Sequence, residues 1–261
     1  MIMAKYQAII LAAGKGSRLM PLTKNIPKCL VQVNSKPILE WQLYLFKKNK
    51  IPVNIITGYL NNKILEKEYE QNYFFNKEYD SSNMVYSFFK ARPLIESCID
   101  KQDIIISYGD IIYSPQILAK LINNQDQFSC AVDINFKKYW NLRMDDIESD
   151  LESLSIDSDQ NILSIGQKIN DLNNVDAQYI GLIKISSKLI SNILEIWDEI
   201  LNSNSLDYSK NLYMTDFLQY CIDKGLKLKA LKISNPWAEI DIPSDIKVAE
   251  KILNFDQFIS F

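Results

Sequence analysis

Histidine is absent from this chain of 261 residues. Catalytic schemes that need an imidazole, such as Ser/His/Asp and Cys/His nucleophilic arrangements and histidine-ligated zinc, are therefore excluded. Any chemistry must depend on carboxylates, lysine, arginine, backbone amides or a bound metal ion.

Other features are missing as well. The chain lacks any apolar run near the roughly 18 residues that a membrane span requires, and its N-terminus lacks the pattern of a signal peptide. The four cysteines stand far apart, which favours reduced core thiols over a metal site or disulfides. The net charge of −3 argues against a nucleic-acid partner, which usually needs a basic surface. We expect a cytoplasmic protein that binds neither nucleic acid nor membrane.

Hydrophobic residues make up 47% of the chain, enough for a sizeable core. The first half alternates short β-branched runs with helix-spaced apolar residues, which is typical of βαβ units and a parallel sheet. The predicted strands are Gln7–Ala12, Val53–Thr57, Asp103–Tyr108 and Ser129–Asp133. The predicted helices are Pro37–Lys48, Asn61–Tyr69, Asn83–Ala91 and Pro115–Asn123, with Asn61, Ser82 and Ser114 as N-caps.

The second half has shorter elements. Strands are predicted at Leu154–Ile156, Ile162–Gly166, Tyr179–Ile185 and Leu228–Ile233. Helices are predicted at Lys188–Leu201, Met214–Lys224 and Ser244–Leu253. A charged cluster at residues 145–148 favours a solvated face over a mobile loop or insertion.

A glycine loop at residues 11–23, LAAGKGSRLMPLT, is the strongest local pattern. It follows a predicted strand, and its small residues let a base and a phosphate chain approach the backbone. Gly14 and Gly16 can adopt positive φ and turn N–H groups toward phosphate. Neither GxxxxGK[ST] nor GxGxxG is matched, so a P-loop and a dinucleotide fingerprint are not supported. Taken alone, a GxG turn is as consistent with an ordinary tight turn.

Charged residues near this loop and near a second strand end suit phosphate chemistry. Lys15, Arg18 and Lys28 can neutralise a triphosphate, with arginine offering a planar fork and lysine a point charge. Asp110 follows the predicted strand that ends at Tyr108. A carboxylate there faces the crevice where α/β sheets bind ligands, although a turn residue is an equal alternative.

The glycine loop, continued by Pro27-Lys28, Val33 and Lys36-Pro37, resembles the signature of the sugar-phosphate nucleotidyltransferase superfamily. The resemblance continues more thinly to the C-terminus. It implies an α/β fold with a Rossmann-like, mixed and mostly parallel sheet flanked by helices, of the GT-A-like type, with a small antiparallel acceptor-binding part. It also implies one domain over residues 1–261, with 1–133 mainly binding the nucleotide and 134–261 mainly binding the acceptor.

Site residues follow from the same resemblance. Arg18 and Lys28 are the implied catalytic residues, and Asp110 and Asp241, the latter in an EID motif, are the implied ligands of Mg²⁺. Glu239 alternates with Asp241 on a short strand and is placed to support it. The implied nucleotide-binding residues are Leu11, Ala12, Ala13, Gly14, Lys15, Gly16, Ser17, Arg18, Ser82, Asn83, Ser87 and Gly109.

The segment at residues 81–91, SSNMVYSFFKA, is similar to one in cytidylyltransferases acting on phosphocholine, aminoalkylphosphonates and phosphoglutamine, which favours CTP. A plain N-cap explains its serines and asparagine equally well. Lys168 in IGQK resembles the lysine that holds the acceptor phosphate. Tyr179, Trp140 and Trp237 are candidates to line the acceptor pocket or to bind an ammonium group, with ordinary core packing as the alternative.

We therefore predict a Mg²⁺-dependent cytidylyltransferase that joins CMP from CTP to a small phosphorylated or phosphonate acceptor and releases pyrophosphate. A phosphate monoester is largely dianionic at pH 7, so its oxygen needs no side-chain base, in keeping with the lack of histidine. A monomer or homodimer is expected. The alternatives are a hexose-1-phosphate nucleotidyltransferase using UTP, dTTP or GTP, and a non-catalytic nucleotide-binding relative.

Overall fold

The computed structural model describes residues 4–144, 151–168, 175–234 and 236–260. The charged cluster at residues 145–148 lies outside them. In the described part, the strands in chain order are β1 (Tyr6–Ala12), β2 (Gln32–Val33), β3 (Lys36–Pro37), β4 (Val53–Thr57), β5 (Asn72–Phe75), β6 (Asp103–Tyr108), β7 (Ile111–Tyr113), β8 (Phe128–Asp133), β9 (Glu152–Ile156), β10 (Ile162–Lys168), β11 (Gln178–Ile185), β12 (Lys229–Ile233) and β13 (Trp237–Glu239).

A seven-stranded sheet in the order β12-β8-β11-β6-β1-β4-β5 forms the centre of the molecule. Its neighbouring strands are parallel except for β11, which is antiparallel to both β6 and β8. Smaller antiparallel ladders join β9 to β10, β7 to β13 and β2 to β3. The predicted mixed, mostly parallel sheet is therefore confirmed.

Both faces of the central strands of the sheet are buried, which explains why those strands are mostly apolar. Successive side chains of a strand point to opposite faces. In β1, Ala8 and Ile10 belong to one hydrophobic cluster, and Ile9 and Leu11 belong to another. Ala8, Ile9 and Ile10 are fully buried.

The helices cover these two faces. In chain order they are α1 (Ile38–Lys48), α2 (Asn61–Leu65), α3 (Met84–Phe88), α4 (Arg92–Ser97), α5 (Pro115–Asn123), α6 (Phe136–Arg143), α7 (Ile190–Ser203), α8 (Leu206–Asn211), α9 (Met214–Asp223), α10 (Pro243–Ile252) and α11 (Asp256–Ser260). On one face Trp41 of α1 packs against Phe258, and on the other Trp197 of α7 stacks on Phe89 with ring centroids 4.6 Å apart. Of the helices in the described residues, none is both long and apolar enough to cross a membrane.

Several local predictions were wrong. The helix predicted over Asn61–Tyr69 ends at Leu65, and Glu68 beyond it has a φ of 50°, which an α-helix cannot accommodate. Leu60, rather than Asn61, occupies its N-cap position.

The segment predicted as one helix from Asn83 is divided. It starts as α3 and becomes a 3₁₀ turn over Phe89–Ala91. Asn83, rather than Ser82, is the N-cap, because its side chain accepts from the N–H of Met84. Ser114 holds the N-cap position of α5 but makes no side-chain capping bond.

Candidate active site

The glycine loop lies at the carboxyl end of β1. Gly16 has a φ of 63°, as expected, whereas Gly14 lies outside the left-handed region, so that part of the prediction was wrong. A Cβ on Gly16 would lie 2.8 Å from the Cβ of Lys28. The missing side chain at Gly16 therefore lets Lys28 pass close to the loop. The 3₁₀ turn Ser17–Leu19 follows, anchored by the fully buried Leu19.

A short antiparallel ladder brings the two predicted metal-binding aspartates together. Asp110 immediately precedes β7, and Asp241 lies two residues after β13. Glu239 pairs with Ile111 in this ladder, and the N–H of Ile240 donates to the carbonyl of Asp110 at 3.0 Å. One carboxylate oxygen from each of Asp110, Glu239 and Asp241 lies within 4.8 Å of the other two. We call these three residues the acidic cluster.

Lys28 lies between the two aspartates. Its ammonium is 2.5 Å from Asp110 Oδ2 and 2.5 Å from Asp241 Oδ1. Burial alone would lower the pKa of Lys28, but the charges of Asp110 and Asp241 raise it above its ordinary value, so the group stays charged. Arg18 donates from Nη2 to Asp241 Oδ2 at 2.9 Å, with 63% of its side chain exposed. The predicted catalytic pair thus meets the predicted metal ligands.

Arg143, the last residue of α6, forms ion pairs with the acidic cluster and with a neighbouring aspartate. Its guanidinium is 1% exposed, lies 3.1 Å from Glu239 Oε2, and pairs with the buried Asp245. Asp245 in turn accepts from the N–H groups of Asp241 and Ile242, as expected of an acid at the start of the last predicted helix. The sequence patterns did not indicate Arg143.

The acidic cluster fits a hard divalent cation. Carboxylate oxygens are the ligands that such cations prefer. Within the described residues, Asp110 Oδ1 is buried and has no hydrogen-bond partner, which leaves one ligand atom unused. Lys28 already holds a positive charge between Asp110 and Asp241. Burial and the charges of Asp241 and Asp110 raise the pKa of Glu239, as expected where carboxylates crowd together.

A cavity of about 80 Å³ lies beside the glycine loop, and we call it the small cavity. Its wall combines the loop with the start of α3, two segments predicted separately to bind the nucleotide. Six of the predicted nucleotide-binding residues, which come from these two separate segments of the sequence, line the small cavity. The lining residues are Leu11, Ala13, Gly14, Tyr79, Ser82, Asn83, Met84 and Ser87.

Two further predicted residues shape the loop without lining the small cavity. Ala12 is buried in the core. A Cβ on Gly109 would lie 2.6 Å from the carbonyl oxygen of Leu11, so only glycine fits where β6 and β1 end together. The N–H of Gly109 donates to that same oxygen at 2.9 Å.

A larger cavity of about 230 Å³ borders the acidic cluster, and we call it the aromatic cavity. Arg18, Glu239 and Asp241 form one part of its lining, and Met84 is shared with the small cavity. Its aromatic residues include the three predicted to bind the acceptor, and they are Tyr108, Trp140, Tyr179, Tyr213 and Trp237.

The aromatic walls belong to the core as well as to the cavity. Trp140 and Trp237 are 4% and 3% exposed, with ring centroids 6.0 Å apart. Tyr108 meets Tyr179 edge to face at 5.7 Å. Gly181, with a φ of 82°, makes this possible, because a Cβ there would lie 2.6 Å from the Tyr108 ring. These aromatics therefore pack in the core and also line the cavity, and their role in binding an acceptor stays a prediction.

Three further predicted residues line neither cavity and do not contact the acidic cluster in the bonds described above. Lys15 forms an ion pair with Asp80, and Ser17 is exposed. Lys168 is exposed at the end of β10 and pairs with Glu152 of β9. Glu152 lines the aromatic cavity, whereas Lys168 does not. Their binding roles stay predictions.

Comparison with known proteins identifies the class. The sequence model of the nucleotidyl transferase family matches residues 7–141, and the chain belongs to this family. The family expected from the glycine loop is confirmed.

Several similar proteins are named cytidylyltransferases. The chain is 40% identical over 249 residues to "CTP:phosphoglutamine cytidylyltransferase" of Campylobacter jejuni, covering 92% of this chain and 98% of the relative. It is 45% identical over 89 residues to "Choline-phosphate cytidylyltransferase" of Streptococcus pneumoniae, covering 33% of this chain and 39% of the relative. The solved structure of the CTP:phosphocholine cytidylyltransferase from Streptococcus pneumoniae shares the fold, with a TM-score of 0.70, 24% identity, and coverage of 96% of this chain and 100% of that one.

Proposed function

We propose that this chain is a cytidylyltransferase that transfers CMP from CTP to a small phosphorylated or phosphonate acceptor and releases pyrophosphate. The observation that carries the proposal is the position of the acidic cluster with Lys28 and Arg18. Glu239, Asp241 and Arg18 line the aromatic cavity, and this cavity adjoins the small cavity through Met84. A nucleotide with its base in the small cavity can therefore present its phosphates to an acceptor in the aromatic cavity.

The choice of CTP is supported by the relatives. The protein from Campylobacter jejuni, related over nearly its whole length, is named for CTP and phosphoglutamine. The relative from Streptococcus pneumoniae is named for choline phosphate. Both names agree with the preference drawn from residues 81–91.

We assign Mg²⁺ to the acidic cluster, with Asp110 and Asp241 as its ligands and Glu239 beside them. Mg²⁺ uses one or two carboxylates together with substrate phosphates and retained waters, so this set is sufficient. When bound, the ion would supply positive charge to the phosphates of both substrates.

The chain's own residues act by positioning and charge neutralisation. The acceptor oxygen is already deprotonated at pH 7, so it can attack the α-phosphorus without a side-chain base while pyrophosphate leaves. The exposed guanidinium group of Arg18 can donate hydrogen bonds to the departing phosphates. Lys28 has a flexible stem and a persistent charge, and its ammonium can exchange aspartate oxygens for phosphate oxygens. Holding both substrates in line lowers the entropic part of the barrier.

An acceptor with an ammonium group suits the aromatic cavity. Faces of tryptophan and tyrosine attract cations, and Glu152 adds a carboxylate to the lining. We retain Lys168 as a candidate for the acceptor phosphate, since it pairs in register with Glu152, which lines the aromatic cavity.

The test is pyrophosphate release, with CTP, UTP, GTP and dTTP crossed against a panel of acceptors. The panel contains phosphocholine, 2-aminoethylphosphonate, phosphoglutamine and several hexose 1-phosphates. Release with CTP and an amino or choline acceptor, lost in Asp110→Asn, is the expected result. Release only with a hexose phosphate would replace the proposal by the hexose alternative. CTP binding without release from any pair would favour a non-catalytic relative.

A further inference from the structure

Asn76 lies directly after the edge strand β5, and its side chain is fully buried. The N–H of Glu78 donates to Asn76 Oδ1 at 3.0 Å. A backbone N–H can only donate, so this bond fixes the amide with its oxygen toward Glu78 and its nitrogen on the other side. The two hydrogens of Nδ2 then go to Ser82 Oγ and Ser87 Oγ, each at 2.9 Å.

The two serines differ in the hydrogen-bonding capacity that their hydroxyl groups have left. Both line the small cavity and both accept from Asn76. Ser82 donates its own proton to the carbonyl oxygen of Glu78 at 2.7 Å. For Ser87, the described residues provide no acceptor for the hydroxyl proton, and the residue is 5% exposed. Ser87 therefore retains one hydrogen-bond donor at the wall of the small cavity, and Ser82 does not.

We propose that Asn76 is a positioning residue that sets the base preference of the small cavity by holding the Ser87 hydroxyl as a donor. Position N3 of cytosine accepts a hydrogen bond, whereas N3 of uracil carries a hydrogen. The bond from Asn76 takes one of the two lone pairs of the Ser87 oxygen and directs its proton away from the amide. A bond donated by this hydroxyl finds an acceptor at N3 of cytosine and none at N3 of uracil, which favours cytosine. The inference rests on the proposed function, because it takes the small cavity to hold the base.

The experiment compares Ser87→Ala with Ser82→Ala as a matched pair. Affinities for CTP and UTP in the presence of Mg²⁺ are measured by calorimetry, and kcat/KM is measured for both nucleotides. Ser87→Ala should lower the CTP-to-UTP preference about tenfold. Ser82→Ala should lower this preference less, because its proton is already used within the protein and it has no donor to offer to N3. An unchanged preference in Ser87→Ala, or an equal fall in both variants, would overturn the inference.

A third variant, Asn76→Leu, tests the positioning role itself. Without the amide, the Ser87 hydroxyl can turn either way, so the preference should fall although the hydroxyl is still present. A purely structural role would weaken both nucleotides equally and keep their ratio. In the Ser87→Ala background, Asn76→Leu should cause no further fall in the ratio. If Asn76→Leu does not fold, as judged by circular dichroism, Asn76→Asp replaces it. Its carboxylate can still accept from the N–H of Glu78 but would accept the Ser87 proton instead of donating to Ser87, so the preference should again fall.

The inference and the proposed function fail in different ways. An unmodified protein that binds neither CTP nor UTP contradicts the proposed function. An unmodified protein that uses CTP and UTP equally well overturns the role of Asn76 while leaving nucleotidyl transfer in place.

Discussion

Arg143 and Asp245 form an ion pair in which each side chain is 1% exposed. Two nearly parallel bonds join them, Nε to Oδ1 at 3.1 Å and Nη2 to Oδ2 at 3.2 Å. The carboxylate of Asp245 also accepts from the N–H of Asp241 at 2.8 Å. The pair therefore fixes the backbone that carries one of the proposed metal ligands.

Replacing Arg143 by methionine should destabilise the protein by about 3–5 kcal/mol, because a buried carboxylate loses its partner. Arg92→Met is the matched control, since Arg92 pairs with Asp198 but is 36% exposed. This control should cost at most about 1 kcal/mol. Urea unfolding of both variants measures the difference, and equal losses would show that burial of the Arg143 pair does not matter.

Lys28→Met should strengthen the binding of Mn²⁺ to the nucleotide-free protein about tenfold, while pyrophosphate release falls by about 10²-fold. The substitution removes a cation that competes for Asp110 and Asp241. Electron paramagnetic resonance of free Mn²⁺ gives the affinity without any turnover. Lys24→Met, at an exposed lysine in the same segment, is the control. Weaker Mn²⁺ binding in Lys28→Met would mean that Lys28 supports the metal site instead of competing with the ion.

Alanine at two glycines should separate stability from nucleotide binding. A Cβ on Gly14 meets no atom within 4 Å, but Gly14 lines the small cavity. Gly14→Ala should change the free energy of unfolding by no more than about 0.5 kcal/mol and weaken CTP binding about tenfold. A Cβ on Gly109 would lie 2.6 Å from a backbone oxygen, so Gly109→Ala should cost about 1–3 kcal/mol. If Gly14→Ala binds CTP as tightly as the unmodified protein does, the base does not bind in the small cavity.

Stability in acid should depend on Glu78, which joins the loop beside the small cavity to α8. Hydrogen bonds from Lys210 and Tyr86 lower the pKa of Glu78 from 4.5 to about 2. Because the folded pKa is lowered, the carboxylate stabilises the fold above pH 4.5, and this contribution is lost as the pH falls toward 2.

Glu78→Gln should therefore flatten the fall in Tm over that pH window. The unmodified protein and Glu195→Gln, an exposed glutamate on α7, should both show the steeper fall. The pH dependence of thermal unfolding measures this effect, and identical curves for the two variants would contradict it.

The central sheet could be predicted because its signals are local. Strands such as β4 and β6 contain short runs of isoleucine, and the glycine loop follows β1 directly. The ladder of β7 and β13 could not be predicted, since each strand has three residues and shows no period. Asp110 and Asp241 meet only through that ladder, so Asp241 was found by resemblance alone.

Residues that support the site escaped the sequence patterns for a related reason. Arg143 stands at the end of a helix that the patterns missed, and its partners lie far along the chain. Asn76 follows the edge strand β5, which was also missed. Its proposed role depends on the directions of its two amide hydrogens and of the Ser87 hydroxyl hydrogen. Such long-range and directional contacts leave no periodic signal in a single sequence.

The central claim is tested most directly by ³¹P nuclear magnetic resonance of the protein with CTP, Mg²⁺ and phosphoglutamine or phosphocholine. The account predicts a new pair of coupled phosphorus signals from a CDP-linked product, growing in equal amount with pyrophosphate and absent with Asp110→Asn. CTP that stays intact, or is cleaved to CMP and pyrophosphate with the acceptor unchanged, would contradict it.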